Sequence, residues 1–181
     1  MNKDGYYNEG FSENSGVKIF YRDYGPKDGD PILMVHGLGA QLVHWPIHLI
    51  NFLQANNFRP ITYDNRDVGL SSRFLNTPSF VLDYVKYFLR LPIKSEYTID
   101  DMARDGINLL DTLNIKKTHI FSTSMGGMIA QIISAQYPER VKSFTLIAST
   151  ASTPSPTNAP KKAVRDIMME RSKNPNASHE E

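Results

Sequence analysis

The chain has 181 residues, with 20 lysines and arginines against 19 aspartates and glutamates and no cysteine. A formal net charge of +1 gives no electrostatic reason to expect a nucleic acid or an anionic membrane as partner. The missing cysteines exclude a disulfide framework and a thiolate metal site, and they fit a reducing compartment. The length suits one large domain with a sizeable core. The opening MNKDGYYNEGFSENSG has no apolar stretch after a basic start, so it reads as no secretory signal. No apolar run approaches the roughly 18 residues that a membrane span needs. The expectation is a soluble cytoplasmic protein.

Val17–Tyr24 alternates apolar and polar residues, as a half-exposed strand does, and Tyr6–Ser12 is placed to pair with it as a hairpin through Glu13–Gly16. Gly25–Asp30 is turn chemistry. Pro31–Val35 is a continuous apolar run, suited to a strand buried on both faces. The loop His36-Gly37-Leu38-Gly39 follows it, then a helix over Val43–Asn56 and a strand over Arg59–Tyr63. Asp67–Pro78 reads as loop, and Phe80–Leu91 as an apolar, aromatic helix closed by Pro92. Thr98–Asn114 is a second helix, with Thr98 as N-cap and Asp100 and Asp101 near its positive end. Thr118–Phe121 is a strand, Met125–Tyr137 a helix and Val141–Ala148 a strand. Strands alternating with helices predict an α/β fold: a mostly parallel sheet with helices on both faces. Ser152–Lys162 is a Pro/Ser/Thr-rich connector, and Ala163–Lys173 reads as one more helix.

One stretch, HIFSTSMGGMIAQ (119–131), places a serine between the strand and helix patterns. A sharp strand-to-helix turn presents such a serine as a nucleophile and demands small side chains two positions before and after it. Ser124 has Gly126 two positions on, followed by Gly127, and Ser122 two positions before, where the pattern prefers glycine. Ser122 itself is the poorer candidate, being within the strand and lacking a glycine two positions on. The first N–H groups of the following helix lack intrahelical acceptors, so that of Met125 can hold an oxyanion. The N–H of Leu38, in the loop after PILMV, is the second candidate donor. The competing reading is a tight strand–helix turn with no chemistry.

These residues resemble the α/β-hydrolase family, of the esterase and lactonase type with a helical cap. The resemblance rests on PILMVHGLGA (31–40), ITYDNRDVGLSSR (61–73), HIFSTSMGGMIAQIISAQYPERV (119–141) and SFTLIAS (143–149), in the family's order and spacing. It implies a hydrolase core over residues 1–152, truncated before the fold's last strands, and the start of a cap over 153–181. It makes His36, Gly37, Leu38 and Gly39 the oxyanion loop and Ser124 the nucleophile, supported by Gly126 and Gly127. It implies a small-molecule ester or lactone substrate, no cofactor and no metal. Asp64 and Arg66 take structural roles, holding their loop through hydrogen bonds and an ion pair.

The family's triad runs serine, then acid, then histidine, and the residues after Ser149 read as connector and cap. The acid and base are therefore expected outside this chain. His119 is five residues before Ser124 on one strand, roughly 16 Å away at about 3.3 Å per residue. His44 and His48 have a metal-like spacing but no third ligand in the sequence. His179 lies in NASHEE with no strand before it. The alternative function is a non-catalytic or degenerate hydrolase that binds a ligand or partner. Oligomeric state and substrate identity are not encoded in any motif.

Overall fold

The computed structural model describes residues 6–74 and 96–151. The expected helix Phe80–Leu91, and the connector and last helix from Thr153, lie outside the described residues. Contacts divide the chain after Thr150, and the account below concerns the first unit.

β1 (Asn8–Asn14) and β2 (Val17–Asp23) form an antiparallel hairpin with Asn14 opposite Val17. The two-residue turn between them is Ser15–Gly16, with φ of 50° and 80°, the left-handed pair whose twist matches that of the flanking strands. The turn is thus shorter than the sequence suggests, and β1 runs two residues further. β3 (Asp30–Val35), β4 (Phe58–Tyr63), β5 (Thr118–Thr123) and β6 (Val141–Ile147) complete a six-stranded sheet in the order β1-β2-β4-β3-β5-β6. The four strands from β4 to β6 in that order are mutually parallel, and β2 is antiparallel to both of its neighbours, β1 and β4.

β3 lies at the centre, which explains its unbroken apolar run. Leu33 and Val35 point to one face, into a core with Met102, Leu109, Leu110, Ile129 and Ile133. Ile32 and Met34 point to the other, against Trp45, Ile50 and Leu53. The first core is supplied by α2 (Ile99–Thr112) and α3 (Met125–Gln136), the second by α1 (Ile47–Ala55) and the loop before it.

The expected helix over Val43–Asn56 is broken. A 3-10 turn covers Leu42–His44, and α1 starts only at Ile47. The cause is Pro46, which forces its predecessor Trp45 out of the helical region, to φ −68° and ψ 125°. At the N-cap the missing proline N–H costs nothing. α2 starts where the sequence predicts: Asp101 N–H donates to Thr98 Oγ1, and Thr98 N–H donates back to the Asp101 carboxylate. β5 runs two residues further than predicted, to Thr123, so that the chain turns only at Ser124.

Candidate active site

Ser124 sits at the C-terminal end of β5, between the central strand β3 and β6, and immediately precedes α3. Its φ is 52° and its ψ −123°, a region that side-chain-bearing residues enter at a cost of about 1–3 kcal/mol. Ser124 N–H donates to the Ile147 carbonyl at 2.9 Å, and its own carbonyl accepts from Gly127 N–H at 2.9 Å. These bonds hold the turn from both sides. The residue is exposed, so the strained backbone delivers a hydroxyl to the surface.

The small neighbours have identifiable reasons. A Cβ at Gly126 would stand 2.7 Å from the His36 carbonyl oxygen and closer still to that of Val35. At Gly127 it would collide with the Ser149 side chain. Ser122, in the position where the pattern prefers glycine, is fully buried, and its hydroxyl donates to the Thr145 carbonyl at 2.8 Å. The serine is therefore accommodated by a bond to the adjacent strand, which the sequence pattern alone does not reveal.

The loop after β3 comes directly against the strand-to-helix turn at Ser124, the elbow. A Cβ at Gly37 would lie 2.9 Å from Ser124 Cβ. Gly39 has a φ of 70°, Ala40 N–H donates to the Gly37 carbonyl at 3.3 Å, and the Leu38 side chain is exposed. His36 stacks on Trp45, with ring centroids 3.9 Å apart, and its Nδ1 lies 3.5 Å from Thr123 Oγ1. Burial, with His44 as a lesser cause, pushes the His36 ring down to about 4, so it is neutral at pH 7. The Asn65 amide donates to the His36 carbonyl at 3.3 Å. Trp45 and Asn65 were not singled out from sequence. Their contacts span 9 and 29 residues, beyond any local periodicity.

Asp64 is a loop anchor. One carboxylate oxygen accepts from Leu42 N–H at 2.7 Å and the other from Leu70 N–H at 3.0 Å, fixing both segments that flank the site. Arg66 makes a two-point pair with Asp105 of α2 at 2.6 and 2.9 Å. Burial raises the Asp105 carboxyl, and the Arg66 guanidinium partly offsets the effect.

None of the four histidines among the described residues bonds to Ser124. His36 is committed to its stack, His44 Nδ1 accepts from Gln41 N–H, and His48 is exposed on α1. His119 does form a serine–histidine–aspartate line, with Nδ1 2.7 Å from Ser143 Oγ and Nε2 3.2 Å from Asp30. That line crosses the sheet near the opposite end of β5, and the Lys142 ammonium also binds Asp30. It is a cross-strand polar ladder remote from the elbow. Among the described residues, no group of three histidine, cysteine or acidic side chains is placed to hold a metal.

A cavity of about 290 Å³ reaches the site through Leu38, Gly39 and Met125 and extends to Tyr97, Ile99 and Met102. Among the described residues, no helix is long and apolar enough to cross a membrane.

A family described as the alpha/beta hydrolase fold matches residues 30–175. A candidate carbamate hydrolase, RutD of Variovorax paradoxus (strain S110), is 30% identical over 72% of this chain and 42% of its own length. The rhodomycin D methylesterase DauP of Streptomyces sp. (strain C5) is 26% identical over 75% of this chain and 40% of its own. Among solved structures, Est816, described as an N-acyl homoserine lactone degrading enzyme, superposes with a TM-score of 0.62 at 26% identity, over 88% of this chain and 52% of that one. The chain thus spans about two-fifths of the length of the curated relatives it matches.

Proposed function

The chain belongs to the α/β-hydrolase fold family, and on that premise we propose that it carries the nucleophile and oxyanion site of a serine hydrolase for carboxylic esters or lactones. The observation that carries the reading is the exposed Ser124 at φ 52° on the strand-to-helix turn. Strain of this size persists only where the surroundings enforce it, and here it serves to project the hydroxyl. Ser124 Oγ attacks the substrate carbonyl, and its proton passes to a base. The N–H groups of Leu38 and Met125 receive the developing oxyanion. The leaving alcohol takes the proton back, and water then releases the acyl group by the same path.

The reading assigns the base and its carboxylate partner to residues outside those described, in the length of the relatives that this chain does not span. It assigns residues 1–152 to the hydrolase core and 153–181 to the start of a cap. The 181 residues alone are expected to show little or no turnover. Substrates with an ester linkage are favoured by DauP, a methylesterase, and lactones by Est816.

The test is covalent labelling by a fluorophosphonate, with Ser124→Ala as control. Labelling at Ser124 in a form that includes the additional length supports the enzyme. No labelling of Ser124 in either form removes the hydrolase reading and leaves a binding module. That second reading is favoured by one observation: no base among the described residues reaches Ser124.

A further inference from the structure

A second serine of this chain does have a base within reach. Ser143 Oγ lies 2.7 Å from His119 Nδ1, and His119 Nε2 lies 3.2 Å from the Asp30 carboxylate. An ionised carboxylate only accepts hydrogen bonds, so the neutral ring carries its proton on Nε2 and donates it to Asp30. That leaves Nδ1 as the bare nitrogen, and the Ser143 hydroxyl donates to it. The line thus has the polarity of a nucleophile, a general base and an orienting acid. The Phe58 ring meets the imidazole at 81°, with centroids 5.7 Å apart, and limits its rotation.

The backbone arranges a fourth group here. Thr118 is opposite Val141 but His119 is opposite Ser143, so Lys142 is an extra residue in β6. Such a bulge re-aims side chains. In a regular strand Lys142 would face away from the surface that carries Ser143; here its ammonium binds the Asp30 oxygen that His119 leaves free. The Lys142 hydrogen bond holds the Asp30 carboxyl below its usual range, which keeps it ionised to support an imidazolium. Ser143 is exposed. As a set of half-exposed polar contacts the cluster adds little to stability; as an ordered proton path it changes the reactivity of one hydroxyl.

We propose that Ser143 is a second nucleophile, acylated by activated esters, with His119 as general base and Asp30 as its orienting partner. The bond from Ser143 Oγ to the acyl carbon forms while the hydroxyl proton passes to His119 Nδ1. The bond from that carbon to the leaving phenolate breaks, and the imidazolium returns its proton to the phenolate. The substrate class follows from the position in the fold. α1 and α3 leave the C-terminal ends of β3 and β5, and α2 runs back to the start of β5. The N-termini of these three helices therefore lie at the other end of the sheet, and their unpaired N–H groups are not available to an oxyanion at Ser143. A leaving group must depart without that help, so the acyl donor is an aryl ester. The serine ester formed is not activated, so the reaction stops at one acyl group per chain.

The test is mass-spectrometric mapping of acetyl groups after treatment with p-nitrophenyl acetate, in a chain carrying Ser124→Ala so that the elbow does not contribute. Acetylation is expected on Ser143, at least about tenfold faster than on Ser15, which is also exposed but bonds to Asn14 instead of a histidine. This comparison is made within one chain and needs no further variant to fold. His119→Gln is expected to slow the reaction at Ser143 roughly a hundredfold. Asp30→Asn should slow it by about tenfold or more, because an amide can donate to Nε2 and move the ring proton to Nδ1. Far-ultraviolet circular dichroism should be unchanged in both. Acetyl groups confined to lysines, equal rates at Ser143 and Ser15, or a folded His119→Gln chain that reacts as fast as its parent would overturn the proposal. Since Ser124 is absent from the test, such a failure leaves the reading of the elbow untouched.

Discussion

Gly126 and His36 meet at one carbonyl oxygen, and together they decide whether the elbow keeps its shape. Replacing Gly126 by alanine in an ordinary helix gains about 1 kcal/mol of propensity. Here the new methyl would enter the space of the Val35 and His36 carbonyl oxygens, and overpacking of that kind costs about 1–3 kcal/mol. Backbone atoms of the central strand cannot swing away as side chains do, so the cost lies at the upper end. Gly126→Ala is therefore expected to destabilise by about 2 kcal/mol net and to slow labelling of Ser124. A denaturant melt showing equal or higher stability would contradict the packing argument. His36 supplies a pH dependence. Its ring titrates near 4 in the folded chain and near 6.5 when unfolded. Between these values the unfolded state binds more protons, so stability falls as pH falls. The contribution is intact above pH 6.5 and is lost progressively down to about pH 4. Because the ring is only partly buried, the expected loss is on the order of 1 kcal/mol. Thermal melts of the chain and of His36→Asn between pH 7 and 4 should converge toward the acid end. Parallel curves would place the titrating group elsewhere.

At the scale of elements, α2 is anchored at its start and at its middle. The Thr98 cap is local, and Thr98→Ala should cost about 1 kcal/mol. The Arg66–Asp105 pair is non-local and largely buried, with side-chain exposures of 12% and 6%. Removing one partner leaves the other charge stranded, so Arg66→Met is expected to cost about 3 kcal/mol or more. The double variant Arg66→Met/Asp105→Leu should recover most of that loss. Chemical melts of the two single variants and the double decide it: a double variant no better than the singles would show that the pair organises the loop rather than merely compensating charge. The same contrast explains what the sequence revealed. The cap at Thr98, the run Pro31–Val35 and the serine turn are written in contiguous residues and were legible as such. The break at Pro46 is marked by the proline itself, but the apolar pattern continues on both sides of it and so predicts one unbroken helix. Trp45 beneath His36, Asn65 on its carbonyl, the Ser122–Thr145 bond and the identity of Arg66's partner are products of strand order. No periodicity within one segment specifies which strands become neighbours.

At the scale of the whole described sheet, the two edges differ in how they meet solvent. β1 carries Glu9 and Glu13, each paired with a cation of β2, and charges of this kind discourage a further strand from docking. β6 carries one lysine, and Phe144, Leu146 and Ile147 are 45%, 39% and 43% exposed. It is parallel to β5 and its outer edge has no partner strand among the described residues. An apolar edge with free ladder groups is a template for another strand. The 181-residue chain is therefore expected to self-associate as its concentration rises, at this edge. Phe144→Lys combined with Thr145→Lys puts a charge on each face of β6. It leaves the Thr145 carbonyl free to hold Ser122 and the Ile147 carbonyl free to hold Ser124. Light scattering after size exclusion should show mass rising with concentration for the parent and constant for the double variant, with unchanged far-ultraviolet circular dichroism. A longer form whose added residues pair with β6 should behave like the variant without any substitution. If parent and variant associate alike, the contact lies elsewhere. If neither associates, the exposed apolar groups of β6 are insufficient to recruit a strand, and the sheet tolerates this edge as it stands.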